Sequence, residues 1–146
     1  MFRGVSNSEL GLAVGVFSGD SNTDADYARY VEWLSDLLAR HRHLARPVLV
    51  QIVERGNPVP NARWRIRIAE AARAVPSDAL FVLVSDSPLV RGTARAIGWL
   101  APRAYEMRVC ADIEEGLSVV EAWRGVALPE LRELHDRACG RVGQAL

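Results

Sequence analysis

The side chains with the makings of catalysis or metal binding are three histidines, two cysteines and a few serine-containing turns. His41 and His43 have an HxH spacing. Residues two apart on a helix point about 200° apart, so these rings chelate one ion only where the helix has already ended. Arg40, Arg42 and Arg46 surround them, and a solvated helix terminus is the simpler account. Cys110 and Cys139 form no CxxC pair and no metal spacing, which points to reduced structural thiols. His135 has no obvious nucleophile partner, and no GxSxG occurs.

Two loops have the composition to hold an anion. Gly19-Asp20-Ser21-Asn22-Thr23 faintly resembles the phosphate loop of flavodoxins, where backbone N–H groups cradle phosphate. Asp20, Asp24 and Asp26 would oppose that anion, so an acidic helix cap is the better account. Ser85-Asp86-Ser87-Pro88 is a helix start at which Ser87 either caps or, if phosphorylated, holds its phosphate well. The eighteen basic side chains are all arginine. Without lysine there is no Schiff base, no P-loop amine and no receiver-domain lysine. Eighteen acidic groups balance them, leaving no electrostatic footprint for nucleic acid. The expectation is no catalytic residue, no metal and no cofactor.

The elements that position these groups read as one α/β domain over 1–146. Leu10 to Phe17 is a strand, with Phe2 to Val5 pairing to it as an N-terminal hairpin strand. Helix spacing follows in Tyr27, Tyr30, Val31, Leu34, Leu37 and Leu38. Val48 to Val53 and Leu80 to Val84 are nearly continuous apolar runs, as strands buried on both faces require. Asn61 caps a second helix with Trp64, Ile68, Ala71, Ala72 and Val75 inward; Ser87 and Pro88 open a third, closed by Pro102. Tyr105, Met107 and Val109 alternate with polar neighbours, as on an edge strand. Asp112 caps a fourth helix running to Trp123. Right-handed crossovers lay the four strand–helix units in one mainly parallel sheet, a core of 10–124. An appended helix, 128–143, carries a narrow stripe of Leu128, Leu131, Leu134, Ala138 and Val142. That stripe either covers the open side of its own sheet or pairs in a homodimer with Leu131 and Leu134 at the centre, the second being preferred. Met1-Phe2-Arg3-Gly4 turns polar too early for a signal peptide, and no apolar run approaches the ~20 residues of a membrane span, so a cytoplasmic protein is expected.

The segment Leu89 to Pro102, with Tyr105-Glu106-Met107-Arg108-Val109 and Asp112 to Leu117, resembles uncharacterised bacterial STAS/Sec14-like proteins. The element order from Leu10 to Trp123 is similar to STAS domains throughout. The resemblance implies a STAS-like fold and a non-catalytic regulatory module that binds a protein partner. Anti-sigma-factor antagonists of that family carry a phosphorylatable Ser or Thr before the second helix; here Asn57-Pro58-Val59-Pro60-Asn61 fills the place, and no hydroxyl occurs between Glu54 and Ile66. A kinase-switched exchange of that kind is therefore not expected, while constitutive protein binding is.

The residues assigned to the partner surface are Asn57, Asn61, Arg63, Arg67, Ser87, Arg91, Arg95 and Trp99. Arg63 and Arg67, like Arg91 and Arg95, are spaced four apart on adjacent helices, and Trp99 extends the second line by a turn. Arg and Trp are frequent interface anchors. A solvated helix face is the competing account. The alternative function is a Sec14-like small-ligand or lipid-binding module, which needs an apolar pocket. The Ala-rich second and third helices have room to leave one, and such a pocket would favour this alternative.

Overall fold

The computed structural model describes residues 1–100 and 104–141, with 97–100 by backbone alone. Strands β1 (Phe2–Asn7), β2 (Leu12–Phe17), β3 (Val48–Val53), β4 (Leu80–Val84) and β5 (Glu106–Cys110) form one sheet in sequential order. β1 is antiparallel to β2, pairing Phe2 with Phe17 and Asn7 with Leu12, and the other neighbours are parallel. The helices are α1 (Asp24–His41), α2 (Ala62–Ala72), α3 (Pro88–Leu100), α4 (Ile113–Arg124) and α5 (Pro129–Ala138). The chain is thus α/β with a mostly parallel five-stranded sheet.

Sequential strand order decides where the helices go. Right-handed crossovers that always step the same way place α1, α2 and α3 on one face. On that face Tyr27, Tyr30, Leu34 and Trp64 pack against Phe2, Ala13, Phe17 and Leu49. The opposite face, made of Val14, Val50 and Val82, is covered by Leu117 and Val120 of α4 and by Leu128, Leu131, Leu134 and Ala138. α4 lies over β3, β4 and β5, and α5 over β1 and β2. β2 and β3 are buried on both sides of the sheet, which is why their sequences do not alternate. β5 does alternate and stands at an edge, as its pattern predicts.

Local chemistry sets the helix starts. Thr23 and Asp26 form a capping box: Asp26 N donates to Thr23 Oγ1 at 3.3 Å, and Thr23 N donates to Asp26 Oδ2 at 2.9 Å. Asp26 also accepts from Phe2 N at 3.2 Å, tying α1 to β1. Those backbone hydrogen bonds, the one from Thr23 foremost, hold its carboxyl below the usual range despite burial. Asp112 caps α4 by accepting from Glu115 N, and Gly125 ends it in the left-handed conformation.

The appended helix differs from its expected role. Leu131 is 0% and Leu134 2% exposed, both enclosed on the chain's own sheet. The dimer assignment of these two residues is corrected: α5 completes the second face, leaving neither side chain at a surface. The helix ends at Ala138, short of the predicted 143, and Val142 lies outside the described residues.

Candidate functional site

Between the sheet and the α1–α2–α3 layer lies an apolar cavity of about 110 Å³. Phe17 of β2 with Tyr27, Tyr30 and Leu34 of α1 form one side. Ile68 and Ala72 of α2 and Val90, Thr93 and Ala94 of α3 form the roof, while Gln51, Val53, Phe81, Leu83 and Met107 rise from β3, β4 and β5. Tyr105 closes the edge, and Asn22 with Pro58, Val59 and Pro60 stand at the loops. The void arises from side-chain size. Ala72, Thr93 and Ala94 are small residues at half-buried positions that face large strand residues.

Protein interiors seldom hold voids larger than a water molecule. An enclosed void costs about 24 cal/mol per Å³, which sets an upper bound on the order of 3 kcal/mol for this partly open cavity. That is a large share of the stability of a small domain.

The aromatic wall is rigidly built. Phe17 meets Tyr27 and Tyr30 at ring-centroid distances of 5.6 and 5.2 Å, and Tyr27 stacks on Trp64 at 5.8 Å. The Tyr27 hydroxyl donates to Pro58 O at 3.2 Å, and burial raises its pKa. Burial drives the Tyr30 phenol far above its ordinary range, so it stays neutral.

Gln51 is the buried amide of the lining, 3% exposed. Its Nε2 donates to Gly15 O at 3.3 Å and Ile52 O at 3.4 Å, both long. Its Oε1 accepts no hydrogen bond and stands over Gly15, where a Cβ would lie only 2.7 Å away. An unmet buried acceptor costs about 1–3 kcal/mol.

The residues assigned to a partner surface differ in exposure and in the partners they hold. Asn57 is buried: its Nδ2 donates to Phe17 O, Gly19 O and Glu54 O, and its Oδ1 accepts from Asn22. Its assignment to a partner surface is corrected, because it pegs two loops together. Asn61 is exposed and caps α2 by accepting from Trp64 N at 3.1 Å. Arg63 and Arg67 are exposed, with guanidinium carbons 5.4 and 4.8 Å from the Trp64 ring centroid. Ser87 caps α3, its Oγ accepting from Val90 N at 3.3 Å. Arg91 is half-buried and donates to Ser85 O at 2.9 Å, which turns it back onto the β4–α3 turn. Arg95, four residues on, is exposed. The Trp99 side chain lies outside the described residues.

The two histidines of the HxH segment diverge. His41 is buried with Nε2 3.3 Å from Ser8 Oγ, whereas His43 is exposed. Among the described residues no cluster of His, Cys, Asp and Glu has the makings of a metal site, and no helix is long and apolar enough to cross a membrane.

His135, read as lacking a nucleophile, has one. Cys139 Sγ lies 3.4 Å from its Nε2, and Asp136 Oδ1 lies 3.3 Å from its Nδ1. The (i, i+4) spacing on one helix was the available signal. Burial lowers the His135 pKa and raises that of Cys139. The pair is therefore thiol and neutral imidazole, the reverse of an activated thiolate.

Compared with protein-family models, curated proteins and solved structures, the chain matches none.

Proposed function

We propose that this chain is a non-catalytic module that binds a small apolar ligand in the cavity between its sheet and the α1–α2–α3 layer. The cavity of about 110 Å³, walled mainly by aromatic and aliphatic side chains, carries this reading. An apolar occupant gains dispersion contacts with that lining. The bacterial STAS/Sec14-like resemblance agrees with it, since small-ligand binding is the second of the two functions that resemblance implies.

The test is thermal unfolding against a concentration series of small apolar compounds, with native mass spectrometry to detect a retained ligand. A ligand that binds only the folded state raises the melting temperature with concentration by mass action. Ala72→Met, which fills the cavity from α2, should abolish that rise while leaving the chain folded. Absence of any concentration-dependent stabilisation in the wild-type chain refutes the reading.

A second reading is a regulatory module that binds a protein partner. The exposed Arg63, Arg67 and Arg95 support it, lying on neighbouring helices beside Ile66 and Leu89, which are 50% and 67% exposed. Replacing Arg63 and Arg67 by Glu tests it: the fold should survive, and affinity for a native partner should fall by about tenfold.

A further inference from the structure

The cavity's size, charge and one orphaned acceptor narrow the occupant. An engineered cavity of about 150 Å³ in another protein holds a single benzene ring. A void of about 110 Å³ is smaller than that, so it suits one ring at most. It is too small for a long acyl chain. Tyrosine is the only ionisable residue type among the described lining residues, so no Arg or His stands ready for a carboxylate or phosphate. A buried ion without a partner is strongly disfavoured. The occupant is thus neutral.

Its polar group follows from Gln51. The amide donors are committed, loosely, to Gly15 O and Ile52 O, while Oε1 has nothing to accept. The terminal torsion of a glutamine is soft, so the amide can turn its oxygen from above Gly15 toward a donor in the cavity, giving up the two long bonds of Nε2 in exchange. Building on the ligand-binding reading above, we infer that the cavity selects a neutral molecule of one ring bearing a single hydroxyl or N–H, the proton of which is donated to Gln51 Oε1. Simple phenols are the chemical class. Flat rings fit between Tyr27, Tyr30 and Phe81, and one donor matches one acceptor.

The experiment is isothermal titration of the full chain with phenol, indole, toluene and decanoate. Indole, too large for the void, and decanoate should bind more weakly than phenol; indole binding more tightly than phenol overturns the size assignment. Phenol should bind about tenfold more tightly than toluene. In Gln51→Leu, phenol should lose that advantage while toluene affinity holds. Toluene binding as tightly as phenol to the wild-type chain overturns the donor assignment and leaves the ligand-binding reading standing. Decanoate binding most tightly also overturns the inference, in favour of an acyl ligand. Failure of all four to bind overturns both. The wild-type ranking decides the matter even if Gln51→Leu does not fold.

Discussion

The indole N–H of Trp64 donates to Asp24 Oδ1 at 2.8 Å, joining the second helix to the first turn of the first. The same indole is 2% exposed and stacks on Tyr27, so one side chain ties α2 to the aromatic wall of the cavity. Asp24→Ala should cost about 1 kcal/mol through this hydrogen bond. That corresponds to a fall of about 3 °C in melting temperature for a chain of this size. Thermal unfolding beside Asp20→Ala, at an exposed loop position, checks the assignment.

Acid should weaken the fold in two stages. His41 and His135 are buried, and desolvation first, then Arg40 and Arg141 respectively, lowers both pKa values. The unfolded chain binds protons that the folded one refuses, so stability present above about pH 6.5 is lost as pH falls through the lower folded values. Asp26, held low by hydrogen bonds, adds a second loss below about pH 4. Denaturant unfolding at a series of pH values should show both. In His41→Gln, which keeps a polar partner for Ser8, the first stage should shrink.

α5 should prove indispensable to the monomer. Leu131→Ala should cost about 2–5 kcal/mol, the range for a deleted core leucine. Truncation after Gly125 should expose Leu12, Val14 and Val16 on the sheet and give a chain that does not fold cooperatively. Sedimentation equilibrium of the full chain should return one protomer. A dimer that dissociates on Leu134→Ala with the fold intact would contradict the packing of this helix.

The sheet has no room for a side chain at Gly4. A Cβ there would lie 2.3 Å from the Trp33 ring. Gly4→Ala should therefore destabilise by about 1–3 kcal/mol, typical of overpacking. The companion Trp33→Leu, Gly4→Ala should recover part of that loss, measured as a double-mutant cycle.

Much of the architecture is legible where burial is one-dimensional. Val48 to Val53 and Leu80 to Val84 coincide with β3 and β4 because a strand enclosed on both faces needs an unbroken apolar run. The Ala-rich lining of α2 and α3 likewise announces that those helices leave space above the sheet. What escaped depends on tertiary partners. Asn57 looks like any loop asparagine until three carbonyls from two segments converge on it. Arg91 and Arg95 share a spacing, yet only the carbonyl of Ser85 draws one of them inward. The narrow stripe of α5 fits a dimer seam or a sheet cover equally well. The sheet decides between them, because crossovers confined to one side leave its other side needing two helices.

Sequential strand order has a further consequence. In doubly wound sheets the order reverses at some point, loops diverge there, and ligands settle in the crevice at the strand tips. From β2 to β5 this sheet never reverses, so no such crevice opens. A site has to be made within the layers, where most of its walls are framework. Under the proposed ligand-binding reading, Phe17, Ile68 and Phe81 serve at once as core and as recognition surface. Changing what the protein recognises would mean repacking its interior, and ligand preference and thermal stability would have to evolve together.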